Sequence, residues 1–388
     1  MRFTRTLLAL SFVAAACAPS TGSLTADAPT TRAELPTGPS ALETRTSPLF
    51  PTPLIRPAEI VSGGVPPDGI PSIDDPRFIA VADNLDILPG SEPVIAVEVN
   101  GEARAYPIRV LIWHEIVNDT LAGVPIAVTY CPLCNSAIAF VRRVRGVETT
   151  FGTSGALYAS SLVMYDRATE TLWTHFDGKA VIGLLTGDQL EAIPAPLMAW
   201  STFVETYPDG RILDQTRTGF KKPYGTNPYI GYDDIATDPE FFTGFLDTRE
   251  VAKERVAGIS INGEQKAYRL GTLVSADGVS AIADRVGGDE IVVLWQQGQV
   301  SALDGATVGS GRDVGTVGVF RRETGGRLLT FSVADRKIVD AETGSTWNGA
   351  GLATAGELRG TQLERVIHFD TFWFAWSTFQ PATTIYEP

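Results

Sequence analysis

The sequence predicts a mainly β fold, a β-rich α+β body of two tandem related units packed about a pseudo-two-fold axis, each with one short helix. Three observations carry this. The chain has 38 Gly and 25 Pro against 3 Met, a composition of many turns rather than long helices. Alternating apolar residues run into an Asn-Gly pair twice, in Val94-Ile95-Ala96-Val97-Glu98-Val99-Asn100-Gly101 and in Val256-Ala257-Gly258-Ile259-Ser260-Ile261-Asn262-Gly263, and each reads as a β-hairpin with a tight turn. Further pieces of the first half recur in order in the second, as internal duplication produces.

With 388 residues, 44% of them hydrophobic, the chain can bury one large core or two of ordinary size. Its formal net charge of -14 argues against nucleic acid or an anionic membrane surface as the main partner.

In chain order, Arg2 and Arg5 precede a short apolar run, Leu7 to Ala16, that ends at Ala14-Ala15-Ala16-Cys17. This predicts a lipoprotein signal over 1–17, with Cys17 lipidated and the mature protein exported to the cell envelope on a lipid anchor. Ordinary cleavage after small residues is the competing reading, because Ala14 replaces the usual larger aliphatic residue. Residues 18–48, rich in Ser, Thr, Ala and Pro, predict a disordered tether. Residues 49–89, rich in Pro and Asp, predict an ordered strap with little regular structure.

The first unit is expected over 90–215. After its hairpin, Val124-Pro125-Ile126-Ala127-Val128 and Ala137-Ile138-Ala139-Phe140-Val141 read as buried strands on either side of Cys131-Pro132-Leu133-Cys134, which would sit at a strand–turn–strand corner. Gly152-Thr153-Ser154-Gly155 reads as a Gly-bracketed turn. Residues 216–249 form a Tyr-rich connection, read either as a loop folding over a site or as a packed linker. The second unit is expected over 250–388. There Asp340 with Trp347 echoes Asp166 with Trp173, and Ser301-Ala302 echoes Ser136-Ala137. Ala375-Trp376-Ser377-Thr378-Phe379 repeats Ala199-Trp200-Ser201-Thr202-Phe203 letter for letter, which predicts Trp200 and Trp376 as equivalent core anchors. The thiols are not repeated: Gln296-Gln297-Gly298-Gln299 lies opposite Cys131 to Cys134.

Thr129-Tyr130-Cys131-Pro132-Leu133-Cys134-Asn135-Ser136, Phe151-Gly152-Thr153-Ser154-Gly155, Leu162-Val163-Met164-Tyr165-Asp166-Arg167, Gly225-Thr226-Asn227-Pro228-Tyr229 and Phe372-Trp373-Phe374-Ala375-Trp376 together resemble the bacterial domain of unknown function 3179 family. The resemblance covers about residues 50–388. It implies the extent of the body and the importance of the Cys corner, and it implies no substrate or mechanism.

Three chemistries are open at that corner. Cys131 and Cys134 form half of a tetrahedral soft-ligand site, for zinc or copper, with His114 as third ligand and His368 or His175 as fourth. An exported C-x-x-C can instead cycle between dithiol and disulfide, although the apolar strand after it lacks the helix N-terminus that lowers a thiol pKa. Or it is a local disulfide, a weak staple because its loop is short. The expected function is an envelope protein that binds a metal or does thiol chemistry at Cys131 and Cys134. The alternative is a ligand-binding module in which the pair is a redox couple or a structural disulfide. No G-x-S-x-G, phosphate-cradling G-x-x-x-x-G-K or H-E-x-x-H pattern is present, and no general acid or base is identifiable, so enzymatic activity stays open. The expected partners are the membrane, through the lipid on Cys17, and a small molecule or protein of unspecified kind.

Overall fold

A computed structural model describes residues 34–388, so the signal, Cys17 and the first part of the tether lie outside the described residues. The body is β-rich with a few short helices, the longest of them seven residues each, Trp200–Thr206 and Trp373–Phe379. No described helix is long and apolar enough to cross a membrane.

Both Asn-Gly hairpins form. Pro93–Val99 pairs with Glu102–Pro107, and Arg255–Ile261 with Glu264–Arg269. Asn100 and Asn262 take φ of 50° and 48°, with Gly101 and Gly263 also at positive φ, as a tight I′-type turn requires. The first hairpin is flanked by Leu197–Ala199, antiparallel, and by Arg211–Leu213, parallel. The second is flanked by His368–Phe372, antiparallel, and by Thr384–Ile385, parallel. A three-strand meander follows each hairpin: Ile116–Leu121, Val124–Cys131 and Ser136–Val141 in one half; Val279–Val286, Asp289–Gln296 and Thr316–Arg321 in the other. A meander with an Asp at the end of one strand and a Trp on the next comes after that. Asp166 accepts hydrogen bonds from Thr169 N (2.7 Å) and Trp173 Nε1 (3.0 Å), and Asp340 accepts them from Thr343 N (2.7 Å) and Trp347 Nε1 (2.9 Å). These buried carboxylates each close the turn that follows them. They also hold the indole of the following strand.

Three local expectations are corrected. The identical pentapeptides are not in equivalent positions. Trp200 N donates to Glu92 O and Ser201 N to Gly90 O, whereas Trp373 N donates to Glu254 O and Phe374 N to Ala252 O. Trp200 therefore matches Trp373, and Trp376 matches Phe203. The larger ring at Trp376 is accommodated by Gly258, where an added Cβ would stand 2.4 Å from the indole; the first hairpin has Ala96 at that place. Ser301-Ala302 does not begin a strand either. Cys131 pairs with Ser136 and Gln296 with Thr316, so Thr316 holds the place of Ser136, and residues 297–315 form a long loop. Gly152-Thr153-Ser154-Gly155 is no turn but part of the strand Phe151–Tyr158, with a bulge between Thr153 and Ala156. Gly155 there has φ of 71°, and a Cβ would lie 2.1 Å from Val65 O, so the glycine admits the strap against the strand.

The strap is ordered and supplies edge strands: Ile60–Ser62 pairs with Tyr158–Ala156, and Phe78–Ala80 with Leu213–Arg211. Order also reaches into the expected tether. Ala41 is fully buried, its N–H bonded to Glu170 O, and Arg45 donates to Ile60 O. The Ser/Thr/Pro composition of residues 34–48 does not prevent this, since the Ala41 backbone and the Arg45 side chain find partners on the body and the strap.

Candidate functional site

The Cys corner is a hairpin end. The strand Val124–Cys131 turns through Pro132 to Asn135 into Ser136–Val141. Pro132 fixes its own φ at the start of the turn, and Asn135 closes it in the left-handed region at φ 49°, which Asn tolerates. The turn is clamped from the second half of the chain, where Thr371 Oγ1 (2.7 Å) and Phe372 N (3.2 Å) both donate to Cys134 O. Both cysteines are free thiols and are buried.

A chain of side chains leads away from Cys134. Its Sγ is 2.9 Å from Ser136 Oγ, which is 2.8 Å from His175 Nε2, and His175 Nδ1 is 2.8 Å from Thr129 Oγ1. The hydroxyl of Thr129 donates to Ile138 O at 2.8 Å. Thr129 must therefore accept from His175 Nδ1–H, which leaves Nε2 as an acceptor. Ser136 then donates to Nε2 and accepts from the Cys134 thiol. All of these side chains are buried. Alternation along the two strands brings Thr129 and Ser136 to the same face as the imidazole, and His175 follows the strand Leu172–Thr174.

The two thiols are made unequal. Burial pushes Cys131 well above the usual thiol range, and the neighbouring Cys134 adds to this. Burial pushes Cys134 up as well, but hydrogen bonds from Cys131, Ser136 and Ser161 outweigh it and hold the thiol below that range. Burial lowers the pKa of His175, which keeps the ring neutral with Nε2 as an acceptor for the Ser136 hydroxyl. If the proton of Cys134 passes through Ser136 to His175, the serine hydroxyl turns to donate to the thiolate and accept from the imidazolium. The arrangement can therefore ionise one of two adjacent buried thiols.

Beside the corner lies a cavity of about 110 Å³ whose wall includes Leu133, Glu115, Thr153, Tyr229 and Phe241. Tyr229 comes from the Tyr-rich connection, which packs against this part of the body. Tyr224 and Tyr232 of the same segment are also engaged: Tyr224 OH bonds His114 Nε2 at 2.7 Å, and Tyr232 is buried.

The expected metal set is not assembled. His114 Nδ1 is taken by Pro71 O at 2.6 Å and Nε2 by Tyr224, with Phe220 packed against the ring. His368 lies among carbonyls, 3.2 Å from both Val366 O and Val317 O. No group of three His, Cys, Asp or Glu among the described residues is arranged to hold a metal ion. The physical reason is that the strap, through Pro71 O, and the connecting loop, through Tyr224 OH, occupy both ring nitrogens of His114. The imidazole near the thiols is His175, which the sequence offered only as a spare ligand.

A family model described as protein of unknown function, DUF3179, matches residues 67–383. The chain belongs to the DUF3179 family. The match takes in the Cys corner, His175, the connecting loop and both helices carrying the buried tryptophans. No curated protein and no solved structure matches the chain. Ser136 and Thr129 escaped sequence reasoning, and His175 was offered only as an alternative fourth ligand, yet a signal was present. At the register of the paired strands, Leu294 stands for Thr129, Thr316 for Ser136 and Gln296 for Cys131, while Gly349 stands two residues after Trp347 as His175 does after Trp173. Of these four positions that meet in space, three lose their chemistry in the second half, and the fourth keeps a hydroxyl in Thr316. There Gln296 Oε1 accepts from Gly349 N, and Gln299 Oε1 accepts from Thr316 Oγ1.

Proposed function

We propose that this DUF3179 protein performs thiol–disulfide chemistry at Cys131 and Cys134, with Cys134 as the nucleophile. The observation that carries the reading is the hydrogen-bonded chain Cys134–Ser136–His175–Thr129, which gives one thiol of the pair a route to lose its proton. With a small disulfide as oxidant, the Cys134 thiolate attacks one sulfur. The other sulfur leaves as a thiol, taking the proton held by His175. Cys131 then attacks the Cys134 sulfur of the mixed disulfide and displaces the second thiol. The protein ends with a Cys131–Cys134 disulfide, and the oxidant ends as two thiols. Burial of both sulfurs favours small reactants over protein disulfides. The test is mass spectrometry after exposure of the reduced chain to a small disulfide. The expected product of the wild type is an internal disulfide, and Cys131→Ser should trap the mixed disulfide on Cys134. A mixed disulfide found on Cys131 in Cys134→Ser and none in Cys131→Ser would reverse the assignment.

We also propose that the protein is exported and tethered through a lipid on Cys17. Its support is the apolar run ending at Cys17 and the Ser/Thr/Pro-rich segment after it. Cys17→Ser should move the protein from the membrane fraction to the soluble envelope fraction, and a wild type already soluble would remove the anchor from the account. We also take the two halves as one duplicated unit, related by an approximate two-fold axis, with the thiol chemistry kept in the first. The matching strand orders and the paired Asp–Trp contacts support this. Superposition of the halves in an experimental structure, with Trp200 on Trp373, is its check, and strand paths that diverge would refute it.

A further inference from the structure

The cavity beside the Cys corner has an unusual wall. Glu115 lines it with only 8% of its surface exposed, and its carboxyl has no hydrogen bond or ion pair among the described residues. Its backbone is also held in the left-handed region at φ 57°, between a one-turn helix and the strand Ile116–Leu121. An unpartnered carboxyl in such a position costs stability unless something else meets it. A second carboxyl, Glu240, lines the same space; the buried Lys253 ammonium, held by Tyr232 O and Thr237 Oγ1, interacts with it through space but does not line the cavity. Two aromatic rings, Tyr229 and Phe241, complete the wall, the remainder is small or aliphatic, and no basic side chain lines it.

We propose that this cavity binds a small organic cation, an alkylammonium group, with Glu115 as its buried counter-ion and the rings of Tyr229 and Phe241 around its carbon-bound face. Carboxylate and aromatic faces together form the general recognition chemistry for such a cation, because each presents negative potential. An anion would meet two carboxyls and no basic side chain in the wall. An inorganic cation would want a shell of oxygens, and this wall is mostly carbon. The state of the carboxyl agrees: burial pushes Glu115 well above the usual carboxylate range, so an arriving cation would favour its ionised form and release a proton. The site neighbours Cys131, so the inference names a ligand class for the thiol centre. It rests on the thiol reading only for that use, and not for binding.

The experiment is calorimetric titration of the full chain with propylammonium chloride, 1-propanol and propionate in turn. Propylammonium alone should saturate, with proton release that shows as a dependence of the heat on the buffer. Glu115→Gln should weaken binding about ten- to a hundredfold, as loss of a charge-assisted contact does. Glu240→Gln, at an exposed position, should weaken it less and guards against a folding defect at Glu115. Cys134→Ser should bind as the wild type does, which separates a failure here from a failure of the thiol chemistry. Equal binding of 1-propanol, unchanged affinity in both glutamate variants, or no saturable binding of propylammonium overturns the proposal.

Discussion

Among the residues, Glu115 and Cys134 are both buried and titratable, and their environments push them in opposite directions. Cys134 receives hydrogen bonds from Cys131, Ser136 and Ser161 that stabilise its anion, while Glu115 receives none. For Glu115 the folded-state pKa is raised. Its contribution to stability is therefore fully present below the ordinary carboxylate pKa and is lost as pH rises through that range and through the folded pKa. Glu115→Gln removes this loss. The variant should match the wild type in thermal denaturation near about pH 4 and exceed it near about pH 8, where the wild type must keep a buried acid protonated or bear its charge. A variant less stable than the wild type at the higher pH would mean that the carboxyl has a partner which stabilises its ionised form. Cysteines and histidines were visible as candidates in the sequence, but which histidine reaches which sulfur was not. His114 precedes the Cys strand closely in sequence, yet Pro71 and Tyr224, both from distant segments, take its two nitrogens. His175, farther along, arrives through sheet pairing.

At the level of elements, the hairpins were legible because the Asn-Gly turn is local chemistry and the alternation of side chains is a period of two. The Cys hairpin was legible for the same reason. What the sequence misplaced were features whose meaning depends on register. The pentapeptide Ala-Trp-Ser-Thr-Phe is identical in both halves, but the backbone contacts of Trp200 correspond to those of Trp373. Identity of letters is weaker than identity of partners. The three-residue displacement puts the indole of Trp376 where the first half has a phenyl ring, and Gly258 is the accommodation. Gly258→Ala would force a Cβ to within 2.4 Å of that indole and should destabilise the chain by about 1–3 kcal/mol, the usual range for overpacking a tight core. Ala96→Gly, at the matching strand position against Phe203, removes only a methyl group and should cost about 1 kcal/mol. Denaturant midpoints of the two variants decide the point. A neutral Gly258→Ala would show that the second core is loose enough to absorb the methyl.

The whole molecule joins its halves at the thiols. The strand His368–Phe372 belongs to the second hairpin sheet, yet Thr371 and Phe372 bind the Cys134 carbonyl, and the buried ion pair Arg255–Asp370 lies in that same sheet. The connecting loop closes the other side with Tyr229 and Tyr232. Residues from four separated parts of the chain thus fix one short turn, which is why composition and motif could indicate the corner but not its chemistry. The most direct test of the central claim is a pH titration of thiolate ultraviolet absorbance on the reduced full-length protein, compared among wild type, Cys131→Ser, Cys134→Ser and Ser136→Ala. The account predicts an ionisation below the ordinary thiol range in the wild type and in Cys131→Ser. It predicts that this step is absent in Cys134→Ser and raised by about one pH unit or more in Ser136→Ala, since a hydrogen bond to a charged group is lost. Ionisation of both thiols only above the ordinary range, with no change on removing Ser136, would contradict it.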